Sequence, residues 1–482
     1  MESLLRDSSL VDLVALLERR ELSARELMEA VLRRIDEANP DLNAIVALRD
    51  RDELMAEAAA ADERLARGDG RPLEGIPFAV KDLEDVAGLP TTYGSLVFRD
   101  NIAREDSVQV ARLKAAGAIV VGKTNTPEFG YTAITKNLLF GVTRSPWNLE
   151  RSPGGSSGGS AAALAGCLVP LVTASDGGGS IRLPASMVGA FGLKPSFGRV
   201  PIGPNEHWQY ADTACYGPLT KTVEDAALFL DVVVGPSPYD PNSLPHPGYS
   251  YLDCVHRKLD GPLRIALSLD FGYTPVQEDI AEVVSDAARV FERLGHIVEP
   301  LEGGPPMLGP AWALLGNYMQ LSRLAPLLPE REPEFGRSFI AAVKAARELT
   351  PERWGELAAL REQLNRWCAD LFAHYDLLVS PTVPFDPPPA KGPFPDAIDG
   401  RPLPPVAVAA FTIPFNLSWH PAATVRAGLS RAGLPVGMQI VGPRHADDLV
   451  LQAARAYEQE RPWHPEWPVR WEPLPTPAGS SR

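Results

Sequence analysis

Two serine-bearing glycine runs and one lysine are the groups in this sequence best suited to covalent chemistry. The first run is Ser152-Pro153-Gly154-Gly155-Ser156-Ser157-Gly158-Gly159-Ser160. Its small residues leave φ free, so the backbone can pass close to a ligand while offering hydroxyls. The same composition fits a flexible linker, yet Ala161 to Ala165 follows at once and reads as a buried helix. The second run, Ser175-Asp176-Gly177-Gly178-Gly179-Ser180-Ile181-Arg182-Leu183-Pro184, sets three glycines before a serine. Amides unshielded by side chains can converge there on one point, as an oxyanion hole or an anion-binding nest requires; a tight turn is the alternative. Upstream, Lys81 ends the apolar run Ile76-Pro77-Phe78-Ala79-Val80. A lysine so placed is ordinarily a solvated strand end. Buried beside serines, its pKa falls and the neutral amine can act as a base.

Two other motif matches fail on context. Gly154-x-Ser156-x-Gly158 spells a nucleophile elbow, which needs a strand before it and a helix after it. The preceding Trp147-Asn148-Leu149-Glu150-Arg151 does not read as a strand. Gly117 to Thr124 matches the phosphate-loop pattern Gly-x-x-x-x-Gly-Lys-Thr, but Ala118 to Val121 are themselves strand-like. Their amides are then committed to a sheet, which disfavours nucleotide binding.

The elements that must hold these groups follow from the apolar pattern. Pro77 to Val80, Ala118 to Val121 and Val169 to Val172 are short apolar runs bounded by glycine or polar residues, and Val108 to Ala116 and Ser160 to Ala165 are helical. Such alternation indicates a sheet covered on both faces. Ahead of it, Ser9-Leu10-Val11-Asp12 and Ser23-Ala24-Arg25-Glu26 spell capping boxes. Leu27, Val31, Leu32 and Ile35 then line one helical face, and Met55 to Arg67 is a third helix. Val223 to Val234 and Gln277 to Leu294 (helices) and Arg264 to Ser268 (strand) continue the pattern. The Pro-rich residues 381–405 predict a long surface loop, and the tail from Pro462 irregular coil. The expected fold class is α/β, one domain over 1–482. It divides into N-terminal helices in 1–70, a core with the lysine and both serine runs in 71–235, and a remainder in 236–482.

Composition narrows the partners. With 46 basic against 61 acidic residues, the net charge of −15 argues against a sequence-independent grip on phosphate backbones. Cys167, Cys215, Cys254 and Cys368 lie far apart without a Cys-x-x-Cys pair, which supports neither a metal finger nor a dense disulfide framework. The start has no basic region followed by an apolar stretch, and no run reaches the ~18 apolar residues of a spanning helix. We therefore expect a cytoplasmic protein that engages neither nucleic acid nor membrane. His207, His296, His374 and His420 sit in no triad context and no His-Glu-x-x-His is present, so neither metal nor cofactor is expected.

Together, Ala79-Val80-Lys81-Asp82, the Ser152–Ser160 run and Asp176-Gly177-Gly178-Gly179-Ser180-Ile181-Arg182 resemble the amidase signature family. Gly122-Lys123-Thr124-Asn125, Phe191 to Ser196, Thr222 to Ala227, Phe415-Asn416-Leu417 and Leu434 to Gln439 extend the likeness over nearly the whole chain. The resemblance implies a single α/β/α domain around a mixed sheet, and a Ser–Ser–Lys triad. Ser180 would be the nucleophile, Ser156 the bridge behind a cis Gly155–Ser156 bond, and Lys81 the base. It further implies a seryl acyl-enzyme whose oxyanion is held by the amides of Gly177, Gly178, Gly179 and Ser180, with Asp176 and Arg182 paired to fix their loop. The implied partner is a small-molecule amide: small to medium amides, aryl amides or amide oligomers, with carbamate and ester cleavage as side activities. A homodimer is left open.

Two departures bear on specificity. Many relatives carry Thr-Asp before the glycines and a bulkier residue where Gly177 stands, and a small-residue triplet where this chain has Trp419-His420-Pro421. That segment commonly lies near the substrate, so Trp419 and His420 are expected in the pocket. The alternative function is the glutamine-hydrolysing component of a tRNA-dependent amidotransferase, which would need partner subunits. The Trp419-His420 departure and the Pro-rich segment argue against it.

Overall fold

Residues 2–204 and 211–463 are described by a computed structural model of the chain, in which the apolar runs assemble into one mixed sheet of 11 strands. In chain order these are β1 (Ile45–Leu48), β2 (Pro77–Lys81), β3 (Ile119–Thr124), β4 (Leu171–Asp176), β5 (Phe191–Lys194), β6 (Cys215–Thr220), β7 (Arg264–Leu267), β8 (Ile297–Pro300), β9 (Leu377–Pro381), β10 (Ala422–Leu429) and β11 (Pro435–Val441). Across the sheet they run β1-β3-β2-β4-β6-β5-β10-β11-β9-β7-β8. The β2–β3, β2–β4, β7–β8 and β7–β9 pairs are parallel and the rest antiparallel. Every residue of β2, β3 and β4 is buried. Helices cover both faces there, so the strands read as continuous apolar runs.

Because β2 and β4 are parallel neighbours in register at Phe78↔Leu171 and Ala79↔Val172, Lys81 and the Ser175-Asp176 pair emerge at the same edge. Carboxyl ends of parallel strands are where open α/β sheets place their ligands. Both expected capping boxes form, at Ser9 and Ser23. The helix Ala24–Leu42 buries Leu27, Val31, Leu32 and Ile35 against the core, as its spacing predicts.

Three features depart from expectation. β1 falls in the stretch expected to be purely helical; four apolar residues are too few to separate a strand from a helix end by periodicity. Between β8 and β9, helices Gly309–Leu324, Arg337–Ala345 and Pro351–Phe372 form a cap over the carboxyl edge. The cap packs through two satellite clusters, one joining Leu183 to Leu308 and Ala311, the other joining Phe129 to Leu324 and Phe339. The first half of the Pro-rich 381–405 segment is a wall rather than a surface loop, with Val383, Phe385 and Ala390 buried, while most of 391–405 lies at the surface as expected. Proline lacks an N–H, so such a stretch can go inside with fewer backbone donors to satisfy. Gly122-Lys123-Thr124 completes β3, and Lys123 turns into the core to donate to the Glu84 carbonyl at 2.6 Å and the Thr91 hydroxyl at 3.0 Å. Its amine is thereby withdrawn from any phosphate. The expected C-terminal coil beyond Trp463, and His207, lie outside the described residues. Among the described residues no helix is long and apolar enough to cross a membrane.

Candidate active site

Lys81 is fully buried at the end of β2, its backbone N–H donating to Thr173 Oγ1 at 3.0 Å. Its Nζ meets Ser156 Oγ at 2.8 Å, Ser157 Oγ at 2.8 Å, Ser175 Oγ at 3.0 Å and the Ser175 carbonyl at 3.3 Å. Burial disfavours the ammonium and lowers the pKa to about 7, against the opposing pull of Glu84 and Asp176. Glu84 is buried too and is pushed up to about 7 by the same desolvation, although Thr173 and Gln109 hydrogen-bond it.

The serine run reaches Lys81 because its glycines let backbones touch. Gly159 lies so close to Asn125 that an added Cβ would sit 2.3 Å from its nitrogen, and the Gly159 N–H donates to the Asn125 carbonyl at 3.0 Å. The Gly155–Ser156 peptide is cis. Helix Gly158–Ala165 follows directly, buried throughout. Turns and an isolated bridge between Ser145 and Asn148 lead into the run where an elbow would need a strand, so it is not a nucleophile elbow. Ser180 lies between β4 and helix Arg182–Val188. With Ser156, Ser175, Gly177, Gly178 and Trp312, it lines a small cavity.

Each carbonyl in the loop from Asp176 to Gly179 is held by a different group. Asn416 Nδ2 donates to the Asp176 carbonyl at 2.9 Å and Trp312 Nε1 to that of Gly177 at 2.7 Å. Thr412 Oγ1 donates to the Gly178 carbonyl at 2.7 Å and the Leu183 amide to that of Gly179 at 2.7 Å. Peptide planarity means that holding a carbonyl also aims the N–H of the next residue. Beneath the loop, Arg182 grips Asp176 with Nε–Oδ2 and Nη2–Oδ1 both at 2.9 Å, both side chains fully buried. Burial alone would raise Asp176, but Arg182 and Asn416 outweigh it and hold the carboxyl well below its usual range. Asp176 Oδ1 also accepts the Gly179 N–H at 2.6 Å, so Gly179 cannot offer that amide to a bound oxyanion while this bond is in place.

A larger pocket of about 510 Å³ opens from Ser180 and Gly178 and is walled by Leu183, Trp312, Phe385 and Phe394. Trp419 and His420, expected there, line neither cavity. Trp419 takes a left-handed backbone (φ 67°), stacks on Phe197 at 4.8 Å between ring centroids, lies under Arg361 and donates to the Asp212 carbonyl at 2.7 Å. His420 is buried, stacked on Phe372, with Nδ1 2.9 Å from Ser418 Oγ. Burial, then Arg444, lowers its pKa to about 3, so the ring stays neutral. In their place stand Trp312, Phe385 and Phe394, which sequence reasoning missed. Among the described residues no group of three or more His, Cys, Asp or Glu side chains is placed to hold a metal ion.

Comparison with known proteins fits this geometry. The amidase family model matches residues 26–451. An acylamidase of Rhodococcus erythropolis is 37% identical, covering 96% of this chain and 97% of its own. The A component of the glutamyl-tRNA(Gln) amidotransferase of Geotalea daltonii is 34% identical over 93% of this chain and 96% of its own. A bacterial aryl acylamidase of the amidase signature family superposes with a TM-score of 0.89 at 31% identity, covering 96% of this chain and 98% of that one. The chain belongs to the amidase signature family and is an amide-hydrolysing enzyme.

Proposed function

We propose that the chain hydrolyses carboxylic amides through a seryl acyl-enzyme, with Ser180 as nucleophile, Ser156 as proton bridge and Lys81 as base. The observation that carries this reading is the buried Lys81 amine 2.8 Å from Ser156 Oγ, on a cavity that Ser180 also lines. Ser180 Oγ attacks the carbonyl carbon while its proton passes to Ser156 and that of Ser156 to neutral Lys81. The C=O bond pair moves to oxygen, which the amides of Gly177, Gly178 and Ser180 receive. Collapse breaks the C–N bond as the Lys81 proton returns through Ser156 to the departing nitrogen, because amines leave poorly unless protonated. Water then cleaves the ester by the same route and releases the acid.

The pocket walled by Leu183, Trp312, Phe385 and Phe394 supports an apolar acyl or aryl group beside Ser180, and so aryl and medium-chain amides as substrates. Carbamates and esters fit the same chemistry, since both pass through a tetrahedral intermediate. To test the assignment, a fluorophosphonate probe is mapped by peptide mass spectrometry. It should label wild type at Ser180, while Ser180→Ala folds, takes no label and loses nearly all turnover. An adduct on Ser156 or Ser157 would overturn the choice of nucleophile.

A further inference from the structure

Of the four clamps on the glycine loop, three come from the buried core and one does not. Asn416, Thr412 and Leu183 are buried. Trp312 reaches in from the cap helix Gly309–Leu324, lies only partly buried, and forms part of the wall of both the small cavity and the large pocket. Its ring lies flush on Gly178: a Cβ there would sit 2.4 Å from Trp312 Cζ2, so only glycine admits the indole. Its Nε1 donates at 2.7 Å to the Gly177 carbonyl, the oxygen of the peptide whose other end is the Gly178 N–H.

We propose that Trp312 is a positioning residue for the oxyanion site, holding the Gly177–Gly178 peptide so that the Gly178 amide faces the developing oxyanion. The inference rests on the acyl-enzyme reading above. Without the indole donor, the peptide plane loses its side-chain anchor at Gly177 and is free to rock about the flanking glycine bonds, which resist rotation least. A preorganised donor acts chiefly in the transition state, so loosening it lowers kcat more than it weakens ground-state binding.

Trp312→Phe keeps an aromatic ring in the wall and removes the N–H. Its kcat should fall about 10- to 100-fold, short of the ~10²–10³ typical of deleting an oxyanion donor outright, with KM changed less than about threefold. A trifluoromethyl ketone with the same acyl group adds to the nucleophile and places a negative oxygen in the site. Its Ki should rise by about the same factor as kcat falls, while the Ki of a non-reactive ketone isostere stays put. If Trp312→Phe misfolds, Trp312→Leu supplies the same comparison with an apolar side chain that also lacks a donor. Unchanged kcat and ketone Ki, or equal loss of binding by both inhibitors, would overturn the positioning role. Failure of the underlying reading is distinguishable: the ketone would then bind Ser180→Ala as tightly as wild type.

Discussion

Around Lys81 Nζ stand three hydroxyls and a carbonyl. As an ammonium the group donates three N–H bonds; as an amine it donates two and accepts one, the form a base must take. With its pKa lowered to about 7 by burial, both forms are populated near neutrality. The sign follows directly: below about 7 the protonated lysine cannot accept the Ser156 proton, so kcat/KM should rise with pH through a limb centred near 7. Lys81→Met should abolish amide turnover with the fold intact. Lys81→Arg should be nearly as damaging, since a guanidinium keeps its proton. His420, held neutral and away from both cavities, should leave the limb in place when replaced by Gln. Rate profiles from about pH 5 to 9, spanning the lysine's transition, check this. Survival of near-normal activity in Lys81→Met would exclude the lysine as base. The groups of this chemistry were legible because local motifs spell them out: a lysine ending an apolar run, and serines among glycines. Trp312 and Phe394 were not. An aromatic on an apolar stretch reads the same whether it faces a core or a cavity.

At the scale of elements, the place of Trp419 shows what an unusual residue does and does not reveal. Its type was conspicuous, but direction is set by the left-handed backbone at that position, which lays the ring on Phe197 instead of in the pocket. The Pro-rich segment erred the other way, looking like surface while carrying Phe385 and Phe394 to the pocket wall. Their consequences for selectivity are opposite. Phe394→Ala should lower kcat/KM for aryl and long-chain acyl substrates relative to acetyl ones by about 1–3 kcal/mol of discrimination. Trp419→Ala should leave that ranking unchanged and lower thermal stability by about 0.5–1.5 kcal/mol, the worth of a lost aromatic stack. A panel of anilides of graded acyl size, with melting curves, reads both; a re-ranked panel in Trp419→Ala would return that residue to the pocket. The parallel pairing of β2 with β4 was more legible than the cap, because buried strands announce themselves as uninterrupted apolar runs. The helices inserted between β8 and β9 carry no signal of where they dock.

Across the whole molecule, the site draws on residues from Lys81 to Gln439, with Arg182 alone joining Asp176, Asn416, Thr412 and Gln439. Every group the proposed mechanism uses belongs to this one chain. The purified protein should therefore turn over acyl anilides by itself. The amidotransferase components it resembles in sequence set the contrast. Glutaminase activity exceeding anilide turnover, or dependence on copurifying proteins, would favour that alternative; activity assays on the isolated chain decide. One last consequence comes from the seal over Lys81. Its amine has no exposure to solvent and lies 2.8 Å from the Ser156 hydroxyl, its link to the reacting atoms in the proposed mechanism. In that mechanism a proton lifted from the nucleophile would be handed to the leaving nitrogen without entering the bulk, so the enzyme would close its own proton circuit in each half-reaction. Its speed at a given pH would then be a property of the protein interior, indifferent to how much buffer surrounds it.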